Sequence, residues 1–249
     1  MLFDTSSPGR KRGVQIIFAS LAILMGGGLV LFGIGSSSGD GGLTAVLDKN
    51  GVSNLSDQGQ KDAESAEKAL VKNPKDVAAA EKLARARLSI ATNDAFDQGG
   101  QVRDEKAQAL VTAADEAWTK YLALALAKPS RTVSASFASF YATPGVAKYD
   151  KAARALETNL VSRPPSAGLY AQLAIYWLFG GSTDKFTEAR DRAVDLAESD
   201  VRKKAITKQL ADYKKQYDDA IKAQAKQASE AEGATEGTTP KLKTLPTLQ

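Results

Sequence analysis

The stretch PPSAGLYAQLAIYW, residues 164–177, decides the fold of this chain. Two prolines open it, and proline suits the first turn of a helix or the residues just before one. Large apolar side chains then recur at Tyr170, Leu173 and Trp177, which are three and four residues apart and so share one face of a helix. The small Ala174 stands next to Leu173. The stretch therefore predicts a short helix that follows a proline turn and packs through one apolar face.

Similar stretches follow two other proline turns. Counted from Pro74, Pro129 and Pro164, the sixth, ninth, tenth and thirteenth residues fall in register. The three sets are Ala80, Leu83, Ala84, Arg87; Ala135, Ala138, Ser139, Ala142; and Tyr170, Leu173, Ala174, Trp177. This pattern resembles the tetratricopeptide repeat (TPR), whose first helix carries a large residue, a leucine, a small residue and a tyrosine at those positions.

The resemblance covers roughly residues 60–225 and implies a TPR-like α-helical repeat domain. Pro129 and Pro164 are 35 residues apart, close to the 34 residues of the family. Pro74 and Pro129 are 55 residues apart, so this step requires an insertion, most of which residues 93–105 supply. We therefore expect three helical pairs.

The rest of the domain also shows helical spacing, and no segment alternates as a strand would. A short helix is expected near Ala63 to Val71, before the three pairs. Residues 201–225 are expected to form a closing helix, with an apolar stripe at Ile206, Leu210, Tyr213, Tyr217 and Ile221. A capping helix and a coiled-coil strand are both compatible with that stripe. The predicted fold class is all-α.

An apolar segment precedes the domain. Residues 14–35 carry no charge, and about 20 helical residues suffice to cross a bilayer. Arg10, Lys11 and Arg12 stand before this segment and only Asp40 follows closely, so residues 1–13 are expected to be cytoplasmic. We predict a single transmembrane helix, uncleaved, with the domain outside the cytoplasm. A cleaved signal peptide is the alternative and has the same orientation.

Two segments of low apolar content flank the domain. Residues 36–59 are rich in Ser, Gly and Asp, which is typical of a flexible linker. Residues 226–249 pass into Ala, Glu, Gly, Thr and Pro, a composition typical of a disordered tail.

The composition excludes much catalytic chemistry. Cysteine and histidine are both absent, so thiolate nucleophiles, imidazole bases and the usual zinc ligands are missing. Adjacent carboxylates such as Asp115 and Glu116 point in different directions on a helix. Beyond residue 12 the chain has 30 basic and 28 acidic residues, which disfavours a nucleic-acid partner. We expect no enzyme, and we assign no catalytic, cofactor-binding or metal-binding residues.

Binding of other proteins or peptides is what the resemblance implies. The concave surface of the family maps onto Arg85, Leu88, Phe140, Ile175, Leu178 and Phe179. Burial of these side chains between helices is the other interpretation. We expect a membrane-anchored protein-binding scaffold or assembly factor at the outer face of a bacterial cytoplasmic membrane. The alternative is an oligomeric structural envelope protein that associates with copies of itself through its span and C-terminal helix.

Overall fold

The structure, a computed structural model, describes residues 52–126, 128–161 and 164–233. The predicted all-α class is confirmed for this part of the chain, which contains no strand and a single isolated β-bridge, between Phe96 and Val102. Its helices are α1 (Val52–Lys72), α2 (Val77–Asp94), α3 (Glu105–Ala125), α4 (Arg131–Tyr141), α5 (Tyr149–Leu160), α6 (Ala167–Phe179), α7 (Thr183–Asp195) and α8 (Asp200–Gly233).

Side-chain caps set the start of several helices. Asp76 precedes α2 and accepts a hydrogen bond from the backbone N–H of Ala79 at 3.0 Å. Asp104 does the same for the N–H of Ala107 at 2.8 Å, and Ser166 caps α6. Each oxygen satisfies a donor that has no partner inside its helix. Short joints between helices are possible because these caps stand directly after a turn.

The helices form three hairpins with one added helix at each end. The hairpins are α2–α3, α4–α5 and α6–α7, while α1 packs on α2, and α8 packs on α6 and α7. Neighbours run in opposite directions: Tyr149 at the start of α5 contacts Phe179 at the end of α6, with ring centroids 5.4 Å apart. This arrangement is compatible with a TPR-like fold.

Because the direction alternates, the joints lie at two opposite edges of the array. The joints α1–α2, α3–α4, α5–α6 and α7–α8 form one edge, which we call the proline edge after Pro74, Pro129 and Pro164. The joints α2–α3, α4–α5 and α6–α7 form the other, which we call the loop edge.

The second hairpin has a register one residue earlier than predicted. Ala135 and Ser139, two of the predicted positions, are exposed. α4 begins two residues after its proline, whereas α2 begins three residues after Pro74 and α6 three residues after Pro164. The shorter joint moves the buried face of α4 by one position. The buried residues at the shifted positions are Ser134, Phe137, Ala138 and Tyr141.

The core combines many alanines with a few aromatic rings. At its centre, Phe137 stacks on Trp118 of α3, with centroids 4.6 Å apart and planes at 18°. Phe140 and Tyr141 pack against the same phenylalanine ring at 5.9 and 5.8 Å. Alanines let the helices approach closely, and the rings fill the remaining space. These four rings join α3 to α4.

The insertion at residues 93–105 forms an ordered turn at the loop edge. The Asp97 carboxylate accepts hydrogen bonds from two backbone N–H groups of its own turn, both at 2.8 Å. The N–H of Gly145 donates to the carbonyl of Gly100 at 2.8 Å. The α2–α3 joint is thereby held against the α4–α5 joint, so the insertion packs against the second hairpin.

Both end helices extend past the boundaries predicted for the domain. α1 begins at Val52, inside the predicted linker, and Gly59, which has no side chain, is buried against Ile90 of α2. α8 continues to Gly233, eight residues beyond the predicted end at 225. The sequence there, AKQASEAEG, is rich in strong helix formers, which sustain the helix without an apolar stripe.

The predicted membrane span at 14–35, together with residues 1–13, lies outside the described residues. Among the described helices, none is both long and apolar enough to cross a bilayer. The span stays a prediction from the sequence.

Candidate protein-binding site

The six residues predicted to line a binding surface do not form an exposed strip. Arg85 is exposed, and its guanidinium donates to Glu81 at 2.7 Å and to the Ser130 hydroxyl at 3.1 Å. Phe179 is half-buried at the end of α6. The other four are at most 8% exposed: Leu88, Phe140, Ile175 and Leu178. Binding through this set of residues stays a prediction.

Their burial follows from the way α6 is enclosed. α5, α7 and α8 all pack against it, and Leu178 is fully buried. The Phe179 ring contacts Tyr149 of α5 and Tyr217 of α8, with centroids 5.4 and 6.0 Å away. The closing helix thus covers a face of α6 that an open repeat array would present to a ligand.

An open groove lies between α5 and α7, with α6 as its floor. Its volume is about 670 Å³, comparable to that of ligand-binding clefts. The apolar lining includes the buried Leu173 and Trp177, the half-buried Leu160 and Tyr170, and Val161, which is 76% exposed. We call this site the α5–α7 groove. Unlike the predicted strip, it presents apolar surface to solvent.

The sequence of α7 explains why the groove is open. This helix buries Phe186, Ala189 and Ala193 and directs most of its other side chains outward. Ala189 lines the groove, and its methyl group leaves space that a larger side chain would fill. A small residue on the inner face of α7 therefore separates its charged side chains from the apolar floor.

Two polar contacts hold Trp177 in the floor. Its indole N–H donates to the Glu157 carboxylate at 3.2 Å, and the Lys185 ammonium lies 3.9 Å from the ring centroid. A cation over the indole face is favourable, and a buried indole N–H normally has an acceptor. These contacts therefore hold the ring in one orientation.

The rim of the groove is predominantly acidic. Arg190 neutralises part of it through an ion pair with Asp191 at 2.7 Å. Four carboxylates and two basic groups line the groove: Glu157, Glu188, Asp191 and Asp195, with Lys185 and Arg192. An apolar floor inside an acidic rim is complementary to an amphipathic segment that carries basic side chains.

The sequence pattern indicated three residues of this groove but not their use. Tyr170, Leu173 and Trp177 were predicted as repeat positions. Glu188 and Asp195 are seven residues apart on α7 and so share one face. The spacing alone is enough to predict this shared face. The neighbour that it meets depends on how α7 packs on α6, which the repeat pattern does not specify.

A separate polar cluster around Asp115 joins α3, α4 and α5. The carboxylate accepts hydrogen bonds from the Tyr141 hydroxyl at 2.6 Å and from the ammonium groups of Lys148 and Lys151 at 3.0 and 2.8 Å. Burial acts to raise the pKa of Asp115, but these three hydrogen bonds outweigh it and hold the pKa below its ordinary value. Burial and the nearby carboxylate raise the pKa of Tyr141. The cluster stabilises the fold as an ionised acid beside a neutral phenol.

Replacing Asp115 with asparagine is expected to lower the free energy of unfolding by about 1–2 kcal/mol at neutral pH. The folded-state pKa of Asp115 lies below its ordinary value. Its contribution is therefore complete above the unfolded-state pKa and is lost as the pH falls through the folded-state pKa. The difference between parent and variant should shrink below about pH 4.

Urea unfolding followed by circular dichroism across a pH series measures this difference. Glu116→Gln is the matched control, since Glu116 is the next residue of α3 and is exposed. We expect that variant to unfold like the parent at each pH. A deficit in Asp115→Asn that stays constant into the acid range would contradict the assignment.

Comparisons with models of known protein families, with curated proteins and with solved structures found no match to this chain. Its function is therefore argued from the geometry of the groove.

Proposed function

We propose that this chain is a protein-binding scaffold or assembly factor, held at a bacterial cytoplasmic membrane by residues 14–35 and carrying a TPR-like domain outside the cytoplasm. The observation that carries the proposal is the α5–α7 groove, where Leu160, Tyr170 and Val161 present apolar surface inside an acidic rim. The three stacked hairpins support it as well, since such arrays present extended surfaces to peptide ligands.

The ligand that suits this groove best is a basic amphipathic helix of another protein. Its apolar face would lie on Tyr170 and Val161, and its lysines or arginines would reach Glu188 and Asp195 on α7. Tyr170 is half-buried in the lining of the groove, so part of its ring is open to the ligand. Tyrosines of this kind frequently contribute a large share of a binding energy.

A pair of designed peptides tests the proposal. A labelled amphipathic helix of leucine and lysine is expected to bind the full chain, and the same helix with glutamate in place of lysine is expected not to bind. Tyr170→Ala, and the double change Glu188→Lys with Asp195→Lys, should each weaken binding of the lysine peptide about tenfold or more. Fluorescence anisotropy measures the affinities.

A charge-matched variant provides the control. Glu64→Lys with Glu116→Lys makes the same change in net charge on α1 and α3, where both carboxylates are exposed. It should leave the affinity of the lysine peptide unchanged. Equal weakening by both charge pairs, or equal binding of the two peptides, would show that the groove is not the site.

A further inference from the structure

Most of the large apolar side chains that the described residues expose lie on one edge of the molecule. Ile221, on the extension of α8, is elsewhere. Single exposed apolar residues are ordinary, but a collection along one edge indicates an interaction surface. The five on the proline edge are Val71, Val77, Leu126, Val161 and Val201.

Two adjoining joints of this edge are also basic. The Tyr121 hydroxyl near the end of α3 donates to Glu81 near the start of α2 at 3.3 Å, so the α1–α2 and α3–α4 joints lie side by side. The one acidic residue in residues 71–77 and 125–131 is Asp76, which is engaged as the cap of α2. We call the exposed apolar and basic side chains here the basic patch; they are Val71, Lys72, Lys75, Val77, Leu126, Lys128 and Arg131.

Leu126 combines a strained backbone with an exposed side chain. Leu126 has a φ of 50° and is 81% exposed. A bulky residue with positive φ is uncommon and costs free energy, and such strain is concentrated at functional sites. Exposure of a leucine adds a second cost, because its apolar surface faces water. Contact with an apolar medium would offset that second cost.

We propose that the basic patch contacts the surface of an anionic lipid bilayer. Lysine and arginine are attracted to anionic headgroups, and valine and leucine enter the boundary between headgroups and acyl chains. These side chains project from turns and helix ends, which suits a flat, soft surface. A peptide ligand is better held by a concavity such as the α5–α7 groove.

The predicted anchor is compatible with this orientation, and this step rests on the proposed function. Residues 36–51 connect the predicted span to α1, which starts at the loop edge. These 16 residues reach at most about 55 Å when extended. The 21 residues of α1 rise by about 31 Å. The connection can therefore run from the bilayer past the proline edge to the start of α1.

Contact with lipid can be measured directly because the chain has no cysteine of its own. One cysteine is introduced at Val71 on the proline edge, and in a second protein at Gln98 on the loop edge, where the side chain is also exposed. Each full-length variant carries an environment-sensitive fluorophore and is incorporated into phosphatidylcholine vesicles, with or without phosphatidylglycerol. Quenching by spin-labelled lipid reports contact with the bilayer.

With phosphatidylglycerol present, the label at position 71 is expected to be quenched several-fold more than the label at position 98. This difference in quenching between positions 71 and 98, called the contrast below, should disappear without the anionic lipid. It should also disappear in the double variant Lys128→Glu with Arg131→Glu. Lys61→Glu with Lys106→Glu makes the same charge change on other exposed residues. That control should retain the contrast, and circular dichroism verifies the fold of each variant.

Equal quenching at the two positions in anionic vesicles would overturn the proposal. So would a shift in emission at position 71 without quenching, since that would indicate a protein surface, for example a second copy of the chain. Flotation of the vesicles reports the anchor separately. A chain that floats but shows no contrast retains its anchor and lacks the lipid contact.

Discussion

Replacing Phe137 with alanine is expected to lower the free energy of unfolding by about 3–5 kcal/mol. The ring is 0% exposed, stacks on Trp118 at 4.6 Å, and contacts Phe140 and Tyr141. Its removal leaves a cavity bordered by three rigid rings, which cannot close around it. A loss of this size is a large part of the stability of an ordinary domain.

Urea unfolding monitored by circular dichroism gives the magnitude, and a second variant tests the register of α4. Ala135→Asp lies on the exposed side of the same helix and is expected to change the stability by less than about 0.5 kcal/mol. In the register predicted from the prolines, Ala135 is a core position, and an aspartate there would strongly lower the free energy of unfolding. If Ala135→Asp lowered the stability strongly and Phe137→Ala lowered it only slightly, the register predicted from the prolines would be the right one.

Replacing Gly145 with alanine is expected to destabilise the chain by about 1–3 kcal/mol. A Cβ atom at this position would lie 2.6 Å from the backbone nitrogen of Val102 and 2.7 Å from the carbonyl oxygen of Gly100. Both neighbours are backbone atoms and cannot rotate aside as a flexible side chain would. The α2–α3 joint must therefore move away from the α4–α5 joint, which also breaks the hydrogen bond from Gly145 to Gly100.

Gly99→Ala, in the α2–α3 joint that Gly145 contacts, is the matched control. Its Cβ would meet only the Asp97 carboxylate, at 3.4 Å, so we expect little change in stability. Amide hydrogen exchange should show faster exchange at the loop edge in Gly145→Ala and parent-like exchange in Gly99→Ala. Identical behaviour of the two variants would mean that the two joints are not held together as described.

The helices of this chain could be predicted because their determinants are local. Proline turns, caps such as Asp76 and Ser166, and apolar stripes three and four residues apart each act within a few positions. The register of α4 could not be predicted with the same certainty. It depends on whether the helix begins at the second or at the third residue after Pro129, and both lengths satisfy proline equally well.

The candidate site was harder to predict because exposure is a tertiary property. Leu178 and Tyr170 both look like large apolar residues of one helix, but the first is fully buried and the second is half-exposed. The difference comes from α8, which covers one side of α6, and from Ala189, which leaves the other side open. Neither effect appears in the pattern of α6 itself.

The closing helix also bears on the proposal of self-association. Ile206, Leu210 and Tyr213 are buried in the domain, where α8 packs on α6 and α7. A helix that uses this stripe within its own domain has less apolar surface left for a coiled-coil partner. This favours the scaffold proposal over an oligomer built through the last helix.

α8 also extends past the rest of the described domain. Its 34 residues have a length of about 51 Å. Tyr217 contacts Phe179 at the end of α6, so the 16 residues after Tyr217 rise about 24 Å past that level. The end of α8 at Gly233 therefore lies well beyond the loop edge. This stretch of helix projects from the edge opposite the basic patch.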